Sequence, residues 1–122
     1  MSQFLPRPRV VLPLAALVTA LLSGLVLTTT PTVAATPGQT VDVSIAKFAY
    51  GPKDITVAPG TTVTWINHDE APHTVTSTDK SFASKGMDTD DTYQHTFATE
   101  GDFAYICTVH PFMTGVVHVH KP

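Results

Sequence analysis

From Thr40 onward apolar and polar residues alternate at a period of two, and no stretch shows the three-to-four spacing of an amphipathic helix. Val41, Val43 and Ile45 alternate with Asp42 and Ser44, Ile55 and Val57 repeat the pattern, and Val63 and Trp65 share a face within Thr61 to Asn67. Further short runs follow at Thr74 to Ser77, at Thr92 to Phe97, at Phe103 to Cys107 and at Gly115 to His120. Turn residues such as Pro59-Gly60 and Glu100-Gly101-Asp102 separate them. Seven short strands, each with one apolar face, bury those faces when two sheets pack together. The expected fold is therefore all-β, an antiparallel Greek-key β-sandwich. Asp79 to Asp91 is richer in Ser, Lys and Asp and reads as a long connection crossing between the sheets.

The residues before this pattern have a different character. Arg7 and Arg9 precede an uncharged run of 18 residues, Val10 to Leu27, and Val33 and Ala35 are the small residues of a cleavage site. Residues 1–35 read as a secretory signal peptide, and residues 36–122 as the domain. The apolar run also has the length of a membrane anchor, so a retained leader would tether the domain. Removing residues 1–35 from 122 leaves 87, enough for a single domain with a modest core. Both arginines leave with the leader. Five lysines then face ten carboxylates, a charge of −5 that suits neither nucleic acid nor anionic lipid. The expected location is the periplasm or the exterior.

Small exported domains generally supplement their cores with disulfides or a metal. Cys107 is the single cysteine, so no disulfide within the chain is available to it. That leaves an intermolecular bridge, a reactive thiol or a metal thiolate. The segment Cys107-Thr108-Val109-His110-Pro111-Phe112-Met113 places a thiolate, an imidazole and a thioether within seven residues, and Pro72-His73-Thr74-Val75 supplies a second imidazole upstream. Taken singly, each has a plainer explanation: a buried small hydrophobe for Cys107, a core residue for Met113, a loop histidine for His110 and a strand-edge histidine for His73. Together they make the donor set of a trigonal His₂Cys site with a weak axial Met, which suits copper. Zinc accepts one cysteine and two histidines, but it gains little from a thioether.

The remaining polar features are plainer. His118 and His120 share a face of the last strand, opposite Val117 and Val119; an exposed strand face is the simpler reading and a second metal site the sharper one. His68 lies in the turn Asn67 to Glu70, and His95 faces with Tyr93 and Phe97. Asp88, Asp90 and Asp91 form a solvated acidic loop without the Gly and distant Glu of a calcium loop. No orienting third group completes a nucleophile–base set around Cys107, so an enzyme is not expected.

The Pro-His-x-Val segment, the Cys-x-x-His-x-x-Met loop and the run Val57 to Trp65 followed by Asn67 resemble the cupredoxins, the small blue copper proteins. The two-residue spacings within the loop are most similar to the amicyanin group. The resemblance covers about Thr40 to Val119. It implies one type I copper site held by His73, Cys107, His110 and Met113. It also implies an electron shuttle that serves redox proteins, an amine dehydrogenase and a cytochrome among them, with no small-molecule substrate. Thr74 stands where the family commonly has an Asn that braces the ligand loop, and Val109 stands where amicyanins often have Pro. The competing functions are a copper-delivery protein, which hands the ion over without cycling it, and a structural module. Colour with reversible reduction distinguishes them.

Overall fold

In the computed structural model the described residues are 38–122; the leader assigned to residues 1–35 and the domain boundary at residue 36 lie outside them. The period-two pattern becomes eight strands: β1 (Thr40–Ala46), β2 (Ala49–Gly51), β3 (Asp54–Val57), β4 (Thr61–Asn67), β5 (Thr76–Ser77), β6 (Thr92–Phe97), β7 (Gly101–Ile106) and β8 (Thr114–Val119). They form two four-stranded sheets, ordered β2-β1-β4-β6 and β3-β8-β7-β5. No helix occurs among the described residues.

The all-β sandwich agrees with the sequence reading, but a purely antiparallel one does not. β1 runs parallel to β4, with Val43 opposite Trp65, and β3 runs parallel to β8, with Ile55 opposite Val117. Alternation specifies which face a side chain takes and carries nothing about strand direction. Here β3 belongs to the other sheet, so the chain leaves the first sheet after β2 and returns to it as β4 beside β1.

The second departure is β2. Ala46 pairs with Ala49 across a two-residue turn whose central residues, Lys47 and Phe48, both have left-handed backbone, with φ of 52° and 57°. A hairpin turn of this hand ordinarily uses Asn or Gly. Neither is present, and the three-residue strand is too short to show a period. By contrast, Ala58-Pro59-Gly60-Thr61 is the turn its residues announce: Gly60 takes φ of 91°, and the Thr61 N–H donates to the Ala58 carbonyl at 3.2 Å.

Val43, Val63, Trp65 and Phe97 from the first sheet meet Val57, Tyr105, Val117 and Val119 from the second, all of them buried. Full burial of each large side chain contributes about 1.5–3 kcal/mol. Trp65 lies edge-on to Tyr105 at 5.4 Å and stacks on Phe82 at 6.0 Å. Phe82 and Met87 come from the connection between β5 and β6, which crosses from one sheet to the other as expected and also contributes to the core. At Gly115 a Cβ would meet the Tyr105 ring at 2.5 Å and the Lys53 carbonyl at 2.7 Å, so only glycine lets β8 pass beneath that ring.

Candidate metal centre

Cys107 follows the last residue of β7, a strand paired on both sides, so its Cβ is aimed by two ladders. The loop after it closes on itself: the Cys107 N–H donates to the Met113 carbonyl at 3.1 Å, and the Met113 N–H donates to the His110 carbonyl at 2.9 Å. This closure turns His110 back over Cys107. His73 arrives from the β4–β5 connection, where it exchanges backbone hydrogen bonds with Met87 at 3.1 and 2.8 Å. His73 thus converges, from 34 and 37 residues away, on two side chains of a single loop.

Cys107 Sγ lies 3.8 Å from His73 Nδ1 and 3.8 Å from His110 Nδ1, and the two nitrogens are 3.2 Å apart. The centre of that triangle is about 2.1 Å from each corner, the length of a bond from imidazole nitrogen to a first-row metal ion. Cys107 and His73 are fully buried, while His110 is partly exposed. A thiolate and two imidazoles meeting at one point form a donor set that a borderline-soft cation satisfies.

The surrounding groups hold this arrangement. Asp69 Oδ2 accepts from His73 Nε2 at 3.0 Å, which places the ring proton on Nε2 and leaves Nδ1 free toward the centre. The same carboxylate accepts from the Lys47 N–H at 2.6 Å and the Phe48 N–H at 2.9 Å. The Phe48 amide, then the Lys47 amide and His73, hold the Asp69 carboxyl below the usual carboxylate range against the opposing effect of burial. One side chain therefore ties the left-handed hairpin turn to a metal-facing histidine. Phe48 from that turn stands edge-on to both imidazoles, 5.4 Å from His73 and 5.0 Å from His110.

Thr74 donates its N–H toward Cys107 Sγ at 3.4 Å. Its hydroxyl lies 2.9 Å from the Thr108 hydroxyl and accepts the Thr108 N–H at 2.8 Å. The bridge between the two ligand loops is thus made by a threonine, in place of the asparagine usual in the family that the sequence resembles. On the other side the Tyr50 hydroxyl donates to the Thr74 carbonyl at 2.6 Å; burial drives this phenol far above its ordinary range, so it remains a donor. Asn67, fully buried, donates from Nδ2 to the carbonyls of Ala71 and Met87 and accepts from the Asp69 N–H, which sets the curve of the loop that carries His73.

His73, Cys107 and His110 come together, and Met113 is buried at the end of the same loop. Asp69, Phe48, Tyr50 and Asn67 were not singled out as part of the site. Asp69 lies in the turn Asn67 to Glu70, where nothing local marks it as a partner of His73, and Phe48 and Tyr50 belong to the hairpin that no turn residue announces. Among the other histidines, His68 is exposed and His95 stacks on Phe82 at 4.7 Å, where burial lowers its pKa. Asp88, Asp90 and Asp91 are exposed; the Asp90 N–H donates to the Asn67 carbonyl, and the Asn67 N–H to the Asp91 carbonyl. His118 and His120 lie elsewhere, beside Asp102.

The family model for copper binding proteins of the plastocyanin/azurin family matches residues 38–120. Amicyanin of Paracoccus versutus is 36% identical over 88 residues, which cover 68% of this chain and 67% of that protein. Amicyanin of Paracoccus denitrificans is 42% identical over 82 residues, covering 63% of each. Among solved structures, a purple cupredoxin from Nitrosopumilus maritimus superposes with a TM-score of 0.62 at 32% identity, over 66% of this chain and 99% of that one.

Proposed function

Because the chain belongs to the plastocyanin/azurin family of copper-binding proteins, we propose that it is a periplasmic or extracellular blue copper electron carrier. The His73, Cys107 and His110 cluster fits one type I copper site, and Met113 is proposed as the axial fourth ligand. The observation that carries this reading is the triangle of one sulfur and two imidazole nitrogens, 3.2 to 3.8 Å on a side. Bound copper supplies a one-electron Cu(II)/Cu(I) couple with no substrate on the metal.

The chain's own residues then do three things. Asp69 keeps the His73 proton on Nε2, so that no tautomer change is needed when the ion binds. Thr74 brings an N–H to the Cys107 sulfur, where it stabilises negative charge on the thiolate, and its link to Thr108 ties the two loops together. His110 is partly exposed within an apolar rim formed by Phe48, Val109 and Phe112, which are 44%, 52% and 72% exposed. Such a rim docks a redox protein through a small interface that releases quickly. An amine dehydrogenase and a cytochrome are the proposed partners, and residues 1–35 the proposed export leader. Delivery of copper to another protein calls for exposed, exchangeable ligands, whereas Cys107 and His73 have no exposure at all.

The test is the visible spectrum of the copper-loaded protein through a cycle of reduction and reoxidation. An intense blue absorption that bleaches and returns is expected, with no such band in Cys107→Ser. A colourless copper-loaded protein, or a blue serine variant, would refute the site.

A further inference from the structure

We infer that Asp102, His118 and His120 form a second metal site, on the outer face of the second sheet, that takes a borderline divalent cation such as Zn(II) or Cu(II). The register of the strands assembles it. His118 and His120 stand two apart on and just beyond β8, so both imidazoles project from the same face, while Val117 and Val119 point to the core. Asp102, the second residue of β7, is the direct cross-strand partner of His118. His118 Nδ1 lies 2.6 Å and His120 Nε2 3.3 Å from the same carboxylate oxygen, Asp102 Oδ1, and the two rings are within 16° of parallel. Two nitrogens and one oxygen thus converge within 4.8 Å of one another.

That convergence exceeds what an ion pair needs. A single His–Asp contact on an exposed face contributes little, and the second imidazole turned to the same oxygen brings a third donor to one point. A divalent cation in place of the shared protons satisfies all three donors at once. Two imidazoles and a carboxylate without sulfur favour Zn(II), Cu(II) or Ni(II) over Ca(II) and Mg(II), which prefer oxygen, and over Cu(I), which prefers sulfur. All three residues are partly or fully exposed, so the ion enters without any movement of the fold and keeps water on its open side.

This site lies well apart from the first. Cys107, just beyond β7, is five positions along the chain from Asp102, about 16.5 Å at roughly 3.3 Å per residue of extended chain. Asp102 and His118 are paired in the β7–β8 ladder and His120 directly follows β8, with neither ligand loop involved. The two sites can therefore fill independently.

The experiment is a calorimetric titration of the copper-loaded protein with Zn(II), with the blue absorption followed in parallel. It is paired with imidazole NMR spectra of the reduced protein, in which both ions are diamagnetic. One equivalent of zinc is expected to bind while the blue band is unchanged, and the ring signals of His118 and His120 should shift together. His118→Ala and Asp102→Asn should each weaken zinc by roughly tenfold or more, since loss of even an outer partner of a metal ligand costs that much. His68→Ala, at an isolated exposed histidine, should leave zinc binding as it was. The inference is overturned if no zinc binds at millimolar concentration, if uptake bleaches the blue band, or if His118→Ala binds zinc as wild type does.

Discussion

The loop that carries His73 and the loop that carries Cys107 and His110 deliver donors to the same point, yet they are held in opposite ways. The first, between β4 and β5, is fastened by side chains from several directions: buried Asn67 from β4, Asp69 from within the loop to the β1–β2 turn, and buried Tyr50 from β2. The second is closed by two backbone hydrogen bonds and the Thr74–Thr108 bridge, with Val109 and Phe112 standing in solvent. One loop makes a fixed wall of the site and the other makes its doorway. Conformational cost explains the division: a histidine fixed before the ion arrives spends none of the binding free energy on ordering, and an exposed loop edge is what a partner can reach.

The largest test of this contrast compares ligands from the two loops. His73→Ala removes a donor from the fixed wall and should weaken copper by at least about a hundredfold, more than loss of a mere outer partner does. Met113→Leu keeps the volume of a proposed weak axial ligand and should leave copper bound with an altered spectrum. Competition with a chelator of known affinity reads both. If the leucine variant loses copper as completely as the alanine variant, the axial assignment fails.

Asp69→Ala comes next. It strips a partner from the Lys47 and Phe48 amides and from His73, and left-handed backbone at two non-glycine residues then lacks its restraint. A loss of about 2 kcal/mol is expected in the copper-free protein, in the range for hydrogen bonds to a charged group. Copper should restore part of this, since an ion at a hundred times its Kd adds about 2.7 kcal/mol. Chemical denaturation of the two forms measures it; equal stability of variant and wild type without copper would show that the turn holds itself.

Smaller effects are expected at the doorway. Phe112→Glu should leave the blue band intact and slow electron transfer to a competent partner several-fold at subsaturating concentration, because docking would desolvate a charge. Stopped-flow mixing decides it, and an unchanged rate would move the docking surface elsewhere.

The smallest concerns a histidine that belongs to neither loop. His95, packed against Phe82 and Phe97, should titrate below the ordinary value of about 6.5 in imidazole NMR spectra, because burial disfavours its charged form. The unfolded chain then binds the proton more readily than the folded one. The contribution of His95 to stability is accordingly full above the ordinary value and declines as pH falls toward the lowered folded value. His95→Phe should remove that decline.

The meeting of His73, Cys107 and His110 was legible because thiolate and imidazole are the atoms a soft metal demands, and the structure brings these three together; Met113, in the same loop, is the proposed fourth ligand. Sandwich architecture was legible for a similar reason: Val43, Val63, Trp65 and Val117 each occupy the buried half of an alternation that only facing sheets accommodate. Direction was not, and β1 beside β4 turned out parallel, because side-chain period is blind to the sense of the backbone. Nor was the role of Asp69. Its three partners lie up to 22 residues away, and nothing in the pattern around Lys47 and Phe48 marks a hairpin. The same holds for Asp102, which meets His118 only through the register of β7 on β8. Residue chemistry and local period thus determined the His73, Cys107 and His110 cluster as candidate donors, and the class of fold. Which carboxylate holds which imidazole was decided by long-range pairing, because a hydrogen bond depends on position to a fraction of an ångström and only the packed sheets set positions that finely.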